Sequence, residues 1–217
     1  MTTREVLVAS ARMERWVVNF TSRHGQTNLG VHDGALTGTA ADGSAFSARP
    51  PFARSYAGAP DPAAFIQACV PPDRWGVLLV RKGGFAVARL TGERVVESKV
   101  GQRHVQGRTK AGGQSQQRFA RRRDNQAKAA YEAAAGHAAR ILTGPLEALV
   151  CGGDRTAVDQ VLEDPRLRHL VELRVDPWLA VPDPRRHVLD QAVLDGSSVS
   201  VTVTDAPAPG EGPALSG

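Results

Sequence analysis

Residues 112–114 of the 217-residue chain read Gly-Gly-Gln, and these residue types suit chemistry in a confined space. Two adjacent glycines carry no side chains, so the backbone at Gly112 and Gly113 can enter a space too narrow for other residues. Gln114 adds an amide that donates and accepts hydrogen bonds but does not titrate. Such a group can orient water and stabilise developing charge, which favours a site completed by another molecule over a self-contained acid–base centre.

A basic segment surrounds this tripeptide. Residues 101–128 contain a single acid, Asp124, against eight basic residues, although the whole chain has a net charge of only +5. Charge concentrated in this way is expected where a protein contacts nucleic-acid phosphates, and the alternative is a solvated helix face. The eight candidate RNA-binding residues are Arg103, Arg108, Lys110, Arg118, Arg121, Arg122, Arg123 and Lys128.

The longer string around the tripeptide closely resembles the catalytic-loop signature of the eukaryotic and archaeal class-one release factors. It reads Gly112-Gly113-Gln114-Ser115, then Arg118-Phe119-Ala120-Arg121 and Arg123. The resemblance implies that the loop enters the peptidyl transferase centre of the large ribosomal subunit. There the backbone amide of Gln114 would help to stabilise the transition state of ester cleavage, and its side chain would help to position water. Phe119 is expected to pack the helix onto the sheet rather than to stack on a base.

Class-one release factors also contain a codon-reading domain and a partner-binding domain, and nothing in this chain resembles the codon-reading motifs. A closer resemblance is to the VLRF (Vms-like release factor) group, specifically its compact actinobacterial branch, in which this domain serves ribosome rescue. The resemblance implies a peptidyl-tRNA hydrolase that frees nascent chains from stalled ribosomes or separated large subunits without a stop codon. Its partners would be the ribosome, peptidyl-tRNA and ribosomal RNA.

Two alternatives remain open. One is a tRNA endonuclease that cuts near the 3′ CCA end, as suggested for eukaryotic members of the Vms-like group. The other is a non-catalytic ribosome-binding or antibiotic-protection factor whose loop only probes the peptidyl transferase centre. The size of the tRNA product separates the first alternative from ester hydrolysis, and the absence of peptide release would indicate the second.

The elements that must position the loop lie in residues 75–204. A three-stranded meander is predicted from Trp75 to Val100, then the loop 101–115, and then a helix from about Ser115 to about Leu142 that is stopped by Thr143-Gly144-Pro145. The predicted apolar stripe of this helix is Phe119, Ala127, Ala130, Tyr131, Ala134, Ala138 and Ile141. The remaining predictions are strand 146–154, helix 155–164, strand 171–175, helix 184–195 and edge strand 199–203.

This element order resembles the RNase H-like catalytic middle domain of release factors. We therefore predict an α/β (α+β) fold with a mixed sheet over residues 75–204. A small α/β region is predicted over 1–74, with a helix-like opening at 1–24, a hairpin that turns at Asp42-Gly43, and a short helix over Pro62–Cys69. The tail 205–217, rich in Pro, Gly and Ala, is predicted to be disordered.

The remaining candidate groups favour structural roles. Cys69 and Cys151 lack the spacing of a metal site, so two buried free thiols are expected. Asp154, Asp159 and Asp176 are scattered, and Asp154 has the position of a helix cap. His104 and His137 lack a partner arrangement for catalysis. We expect no metal, no cofactor and no membrane span, and a monomer in the cytoplasm.

Overall fold

The computed structural model describes residues 2–82, 84–102 and 114–207, and for Gln102 and residues 114–127 it describes the backbone alone. The chain divides into two units. The first unit combines the chain up to Val70 with the segment that begins at Ser197, and the second runs from Pro71 to Gly196. The second unit is therefore inserted between two segments of the first.

The elements follow in chain order. The described strands are β1 (Thr2–Val8), β2 (Thr27–His32), β3 (Ala35–Ala40), β4 (Ala45–Arg49), β5 (Trp75–Arg81), β6 (Gly84–Thr91), β7 (Arg94–Gln102), β8 (Ala148–Gly153), β9 (Arg174–Leu179) and β10 (Val199–Asp205). The described α-helices are α1 (Met13–His24), α2 (Pro62–Ala68), α3 (Gln114–Ile141), α4 (Arg155–Leu162) and α5 (Arg186–Gly196). Short 3-10 turns occupy Ser10–Arg12 and Arg168–Leu173.

The first unit is an antiparallel sheet of order β1-β10-β4-β3-β2 with helices α1 and α2. Met13, Val17 and Phe20 of α1 are buried in one cluster with strand residues such as Phe46 and Val201. The predicted hairpin is confirmed as β3 and β4. At its turn Gly43 has a φ of 87°, a conformation that glycine adopts without strain, and Asp42 Oδ1 accepts the Ser44 N–H at 2.8 Å.

Two predictions for the first and last segments were wrong. Residues 1–24 were expected to open as a helix, but only Met13–His24 is α-helical and Thr2–Val8 is a strand. Residues 199–203 were expected at the edge of the second domain, but β10 pairs with β1 and β4 inside the first sheet. A strand's alternating pattern reports which face is buried and contains no information about which strands become its neighbours.

The second unit has a mixed sheet of order β7-β6-β5-β8-β9. Strands β5, β6 and β7 form the predicted antiparallel meander, and β8 and β9 continue the sheet parallel to β5. The predicted fold class, an α/β (α+β) fold with a mixed sheet, is confirmed. Strand β9 begins at Arg174, three residues later than the predicted strand, because Arg168–Leu173 forms a 3-10 turn.

Helices cover both faces of this second sheet. Residues of α3 and α4 share a buried cluster with Leu149 and Cys151 of β8. A Cβ atom on Gly196 of α5 would lie 3.0 Å from Val150, whose side chain points to the opposite face because successive strand residues alternate. The sheet is thus a buried layer between α3 and α4 on one face and α5 on the other.

Candidate functional site

The candidate site lies where β7 gives way to α3. Strand β7 ends at Gln102 and α3 begins at Gln114, so residues 103–113 connect an edge strand to the longest described helix. Gly112, Gly113, Arg103, Arg108 and Lys110 lie outside the described residues, as does His104. Of the three predicted catalytic residues, Gln114 is therefore the one whose backbone is described, and the described part of α3 begins there.

The second half of α3 fixes this junction to the sheet. Ala130, Ala134, Ala138 and Ile141 are buried and recur every three or four residues, so they lie on one helical face. Alanine side chains are small, which lets the helix axis approach the sheet closely. These positions confirm the predicted apolar stripe in this half of the helix. Phe119 and Ala127, its first two members, lie among the residues whose side chains are not described.

Phe85 and His137 join the sheet to α3. Their rings stack with centroids 5.4 Å apart and an interplanar angle of 26°. Phe85 lies at the start of β6, opposite Gly101 of β7, close to where the chain leaves the sheet for the candidate loop. The structural role expected for His137 is confirmed. The role of Gly101 was missed, because the predicted strand ended at Val100 and Gly101 was assigned to the loop, whereas β7 continues to Gln102.

An ion pair joins α3 to β7 nearer the surface, between Arg140 Nη1 and Glu97 Oε1. Its side chains are 58% and 34% exposed, so solvent screens the interaction. Exposed pairs of this kind contribute roughly 0–1 kcal/mol. The buried alanine stripe and the Phe85–His137 stack therefore account for most of the attachment.

The four arginines at the start of α3 differ in helical register. Positions 118, 121 and 122 are three and four residues apart and share one face of the helix. At 3.6 residues per turn that face lies opposite the buried positions 130, 134 and 138, whereas position 123 lies in line with them. Arg118, Arg121 and Arg122 thus occupy the register of the outward face.

Lys128 is the one predicted RNA-binding residue whose side chain is described. It is exposed and lines an open groove of about 1020 Å³ that includes residues of α3 and α4. The charged lining of this groove consists of Lys82, Lys128 and Arg166 against Glu132, Asp154, Glu163 and Asp164. Because carboxylates outnumber cations there, the positive charge of the basic segment does not continue from Lys128 into the groove.

Two of these carboxylates have structural partners. Asp154 is the N-cap of α4 and accepts the Ala157 N–H at 3.3 Å, which confirms the predicted cap. Asp164 accepts hydrogen bonds from the side chain and the backbone N–H of Arg166, and these bonds lower the pKa of Asp164 to about 2. Desolvation, with Asp154 as a smaller cause, raises the pKa of Tyr131 in the same groove.

The remaining predicted groups are dispersed. Asp159 pairs with Arg174 at 2.6 Å, and Cys69 and Cys151 are buried free thiols as predicted. Burial raises the pKa of each thiol to about 12. Among the described residues no three His, Cys, Asp or Glu side chains gather in a way that could hold a metal ion. No helix in the described part of the chain has the length and apolar character needed to cross a membrane.

Comparison with known proteins gives a family match and distant structural similarities. The sequence model of the Actinobacteria/Chloroflexi VLRF1 release factor family matches residues 73–202, which is more than half of the chain. Among solved structures, the archaeal translation termination factor aRF1 is 15% identical over 85% of this chain and 52% of its own, with a TM-score of 0.36. Pelota from Archaeoglobus fulgidus is 10% identical over 89% and 62%, with a TM-score of 0.27.

The chain spans about half the length of that archaeal termination factor. No match was found among curated proteins.

Proposed function

Because the chain belongs to the VLRF1 release-factor family of Actinobacteria and Chloroflexi, which places it in translation termination or ribosome rescue, we propose that it hydrolyses peptidyl-tRNA on the large ribosomal subunit. In this proposal it frees nascent chains from stalled ribosomes or separated subunits and needs no stop codon. The loop 103–113 enters the peptidyl transferase centre, and Gly112 and Gly113 give it clearance there.

The observation that carries the proposal is the family match over residues 73–202, the range that contains Gly112-Gly113-Gln114. The first N–H groups of an α-helix have no intrahelical acceptor, and the positive end of the helix dipole lies beside them. In this proposal α3 starts at Gln114, so the Gln114 N–H can donate to an oxyanion, and a donor of this kind is worth several kcal/mol when it is preorganised.

The proposed reaction is ester hydrolysis. The oxygen of a water molecule bonds to the ester carbonyl carbon, the bond from that carbon to the 3′ oxygen of the tRNA ribose breaks, and a water proton ends on that oxygen. The Gln114 N–H stabilises the charge that develops on the carbonyl oxygen, while its side-chain amide positions the water. No titrating side chain of this protein takes part, so ribosomal RNA and tRNA supply the rest of the site.

The basic segment provides the RNA contacts in this proposal. Arg103, Arg108 and Lys110 precede the tripeptide in sequence, and positions 118, 121 and 122 lie opposite the buried positions 130, 134 and 138 in helical register. Arginine binds phosphate in a bidentate manner and remains charged at any relevant pH. These residues hold the loop in place while the chemistry at Gln114 proceeds.

The experiment measures release of labelled peptide from 50S-bound and 70S-bound peptidyl-tRNA without a stop codon. Wild type is compared with Gln114→Ala, Gly113→Ala and the matched control Gln117→Ala, which removes an amide from the same helix. Release by wild type and Gln117→Ala, with little from the other two and with full-length tRNA left, supports the proposal. A shortened tRNA would indicate the endonuclease instead, and binding without release by any variant would indicate a non-catalytic factor.

A further inference from the structure

Three arginines at helix α1 have side chains that form no hydrogen bond or ion pair within the described part of the first unit. Arg12 is its N-cap, Arg15 lies in its first turn and Arg23 in its last, and all three are exposed. Within the described residues, none of the three side chains makes a hydrogen bond or an ion pair. They share a face, because Arg15 and Arg23 are eight residues apart and thus separated by about 80° around the axis, with Arg12 between them.

Other arginines of the same unit do have acceptors within the protein. Arg4 pairs with Asp205 at 3.5 Å, Arg49 donates to the Asp33 carbonyl at 2.8 Å, and Arg54 donates to the Val70 carbonyl. These three cations therefore contribute to the fold. The face of α1 formed by Arg12, Arg15 and Arg23 differs from them, because its side chains have no acceptor within the described residues. We call this set the α1 arginine face.

Two of these arginines also lie where the dipole of their own helix disfavours positive charge. Cations near a helix N-terminus oppose the helix dipole, and Arg12 and Arg15 both lie there. Glu14, the acid of the first turn, lies outside the arc that contains the arginines, about 100° from Arg15. No acid of α1 therefore lies on this face, and no hydrogen bond or ion pair within the described residues requires arginine at these positions.

We propose that the α1 arginine face binds the phosphate backbone of ribosomal RNA as a contact separate from the Gly-Gly-Gln segment. About 12 Å of helix separates Arg15 from Arg23, so the face can meet several phosphates. Arginine suits this partner because its planar fork matches phosphate oxygens. The inference rests on the proposed function in one respect, which is that the ribosome is the target. It assigns to the first unit a binding role that the chemistry at Gln114 does not need.

The test compares two variants with equal loss of charge. Arg12→Gln/Arg15→Gln/Arg23→Gln removes the α1 arginine face, and Arg4→Gln/Arg49→Gln/Arg54→Gln removes three arginines that have protein acceptors. Affinity for purified 50S subunits and for protein-free 23S ribosomal RNA is measured over a series of salt concentrations. The single variant Arg15→Gln is carried in parallel and should reduce the salt slope by about 1 even if the triple variant folds poorly.

For the α1 variant we expect affinity for both probes to fall by roughly tenfold or more. We also expect the salt slope to be reduced by roughly 2 to 3. Equal weakening by the control variant, with a circular dichroism spectrum that matches wild type, would overturn the inference, because net charge would then explain the effect. Loss on 50S subunits alone would also overturn it, since it would point to a ribosomal protein. Peptide release by wild type is measured separately, so failure of the proposed hydrolysis is recognised independently of this binding result.

Discussion

The ring of Phe85 occupies the space that a Cβ atom on Gly101 would need. An ideal Cβ on Gly101 would lie 2.6 Å from Phe85 Cζ and closer still to Cε1. Phe85 is buried and stacks on His137, so its ring cannot turn away without loosening that contact. Because residue 101 is glycine, the Phe85 ring can contact both β7 and α3, close to where residues 103–113 follow β7.

We expect Gly101→Ala to destabilise the second unit and, under the proposed function, to slow peptide release. The added methyl group overpacks the contact, which typically costs about 1–3 kcal/mol, and it displaces the ring that holds α3. Urea unfolding and single-turnover release assays measure the two effects. The double variant Gly101→Ala/Phe85→Leu should recover part of the loss, because the smaller side chain relieves the overlap.

Gly136→Ala is the matched control for this prediction. Gly136 lies in α3, one residue from His137, and a Cβ there would meet nothing within 4 Å. Alanine in a helix interior is favoured over glycine by about 0.5–1 kcal/mol, so this variant should be more stable than wild type. If both substitutions were destabilising to the same degree, the role assigned to the Gly101–Phe85 contact would be wrong.

Much of the second unit could be predicted from the sequence because its signals are local. The 3.6-residue spacing of Ala130, Ala134, Ala138 and Ile141, followed by Gly144-Pro145, located the C-terminal end of α3 to within a residue. The Gly101–Phe85 contact was not predictable in this way. It depends on which residues face each other across β6 and β7, and register is set by the whole sheet.

The same limit explains why the neighbours of β10 in the sheet were not predicted. Val199, Val201 and Val203 are fully buried and alternate as expected for a strand with one buried face, so the strand itself was predicted correctly. Its neighbours β1 and β4 lie near the other end of the chain, and pairing over that separation leaves no local signal. For β1, a seven-residue strand followed at once by turn and helix was too short to be separated from the helical pattern that follows.

The Asp164–Arg166 interaction predicts a stability difference that depends on pH. The side chain and the backbone N–H of Arg166 lower the pKa of Asp164 from 3.8 to about 2, so ionised Asp164 stabilises the folded state above the unfolded-state pKa. That contribution is lost as pH falls from about 4 to about 2. Asp164→Asn should therefore melt at a lower temperature than wild type at pH 7, and the gap should close at the acid end. A gap of unchanged size at pH 2 would contradict this assignment.

Both thiols should be inert in the folded protein. Burial raises the pKa of Cys69 and of Cys151 from 9.0 to about 12, so each thiol stays protonated at pH 8. Since the thiolate is the reactive form, we expect no labelling by iodoacetamide under native conditions and two labels per chain in denaturant. Mass spectrometry of the labelled chain measures both states. Rapid native labelling of either residue would show that its surroundings open far more readily than the packed core allows.

The helical register of α3 predicts unequal roles for its adjacent arginines. Arg121 and Arg122 occupy positions opposite the buried stripe, and Arg123 lies in line with it. If the outward face contacts RNA phosphates, Arg121→Gln/Arg122→Gln should weaken 50S binding and reduce its salt slope by roughly 2. Arg123→Gln should leave the salt slope closer to that of wild type. Equal reductions per arginine at all three positions would mean that charge density, and not helical register, governs the contact.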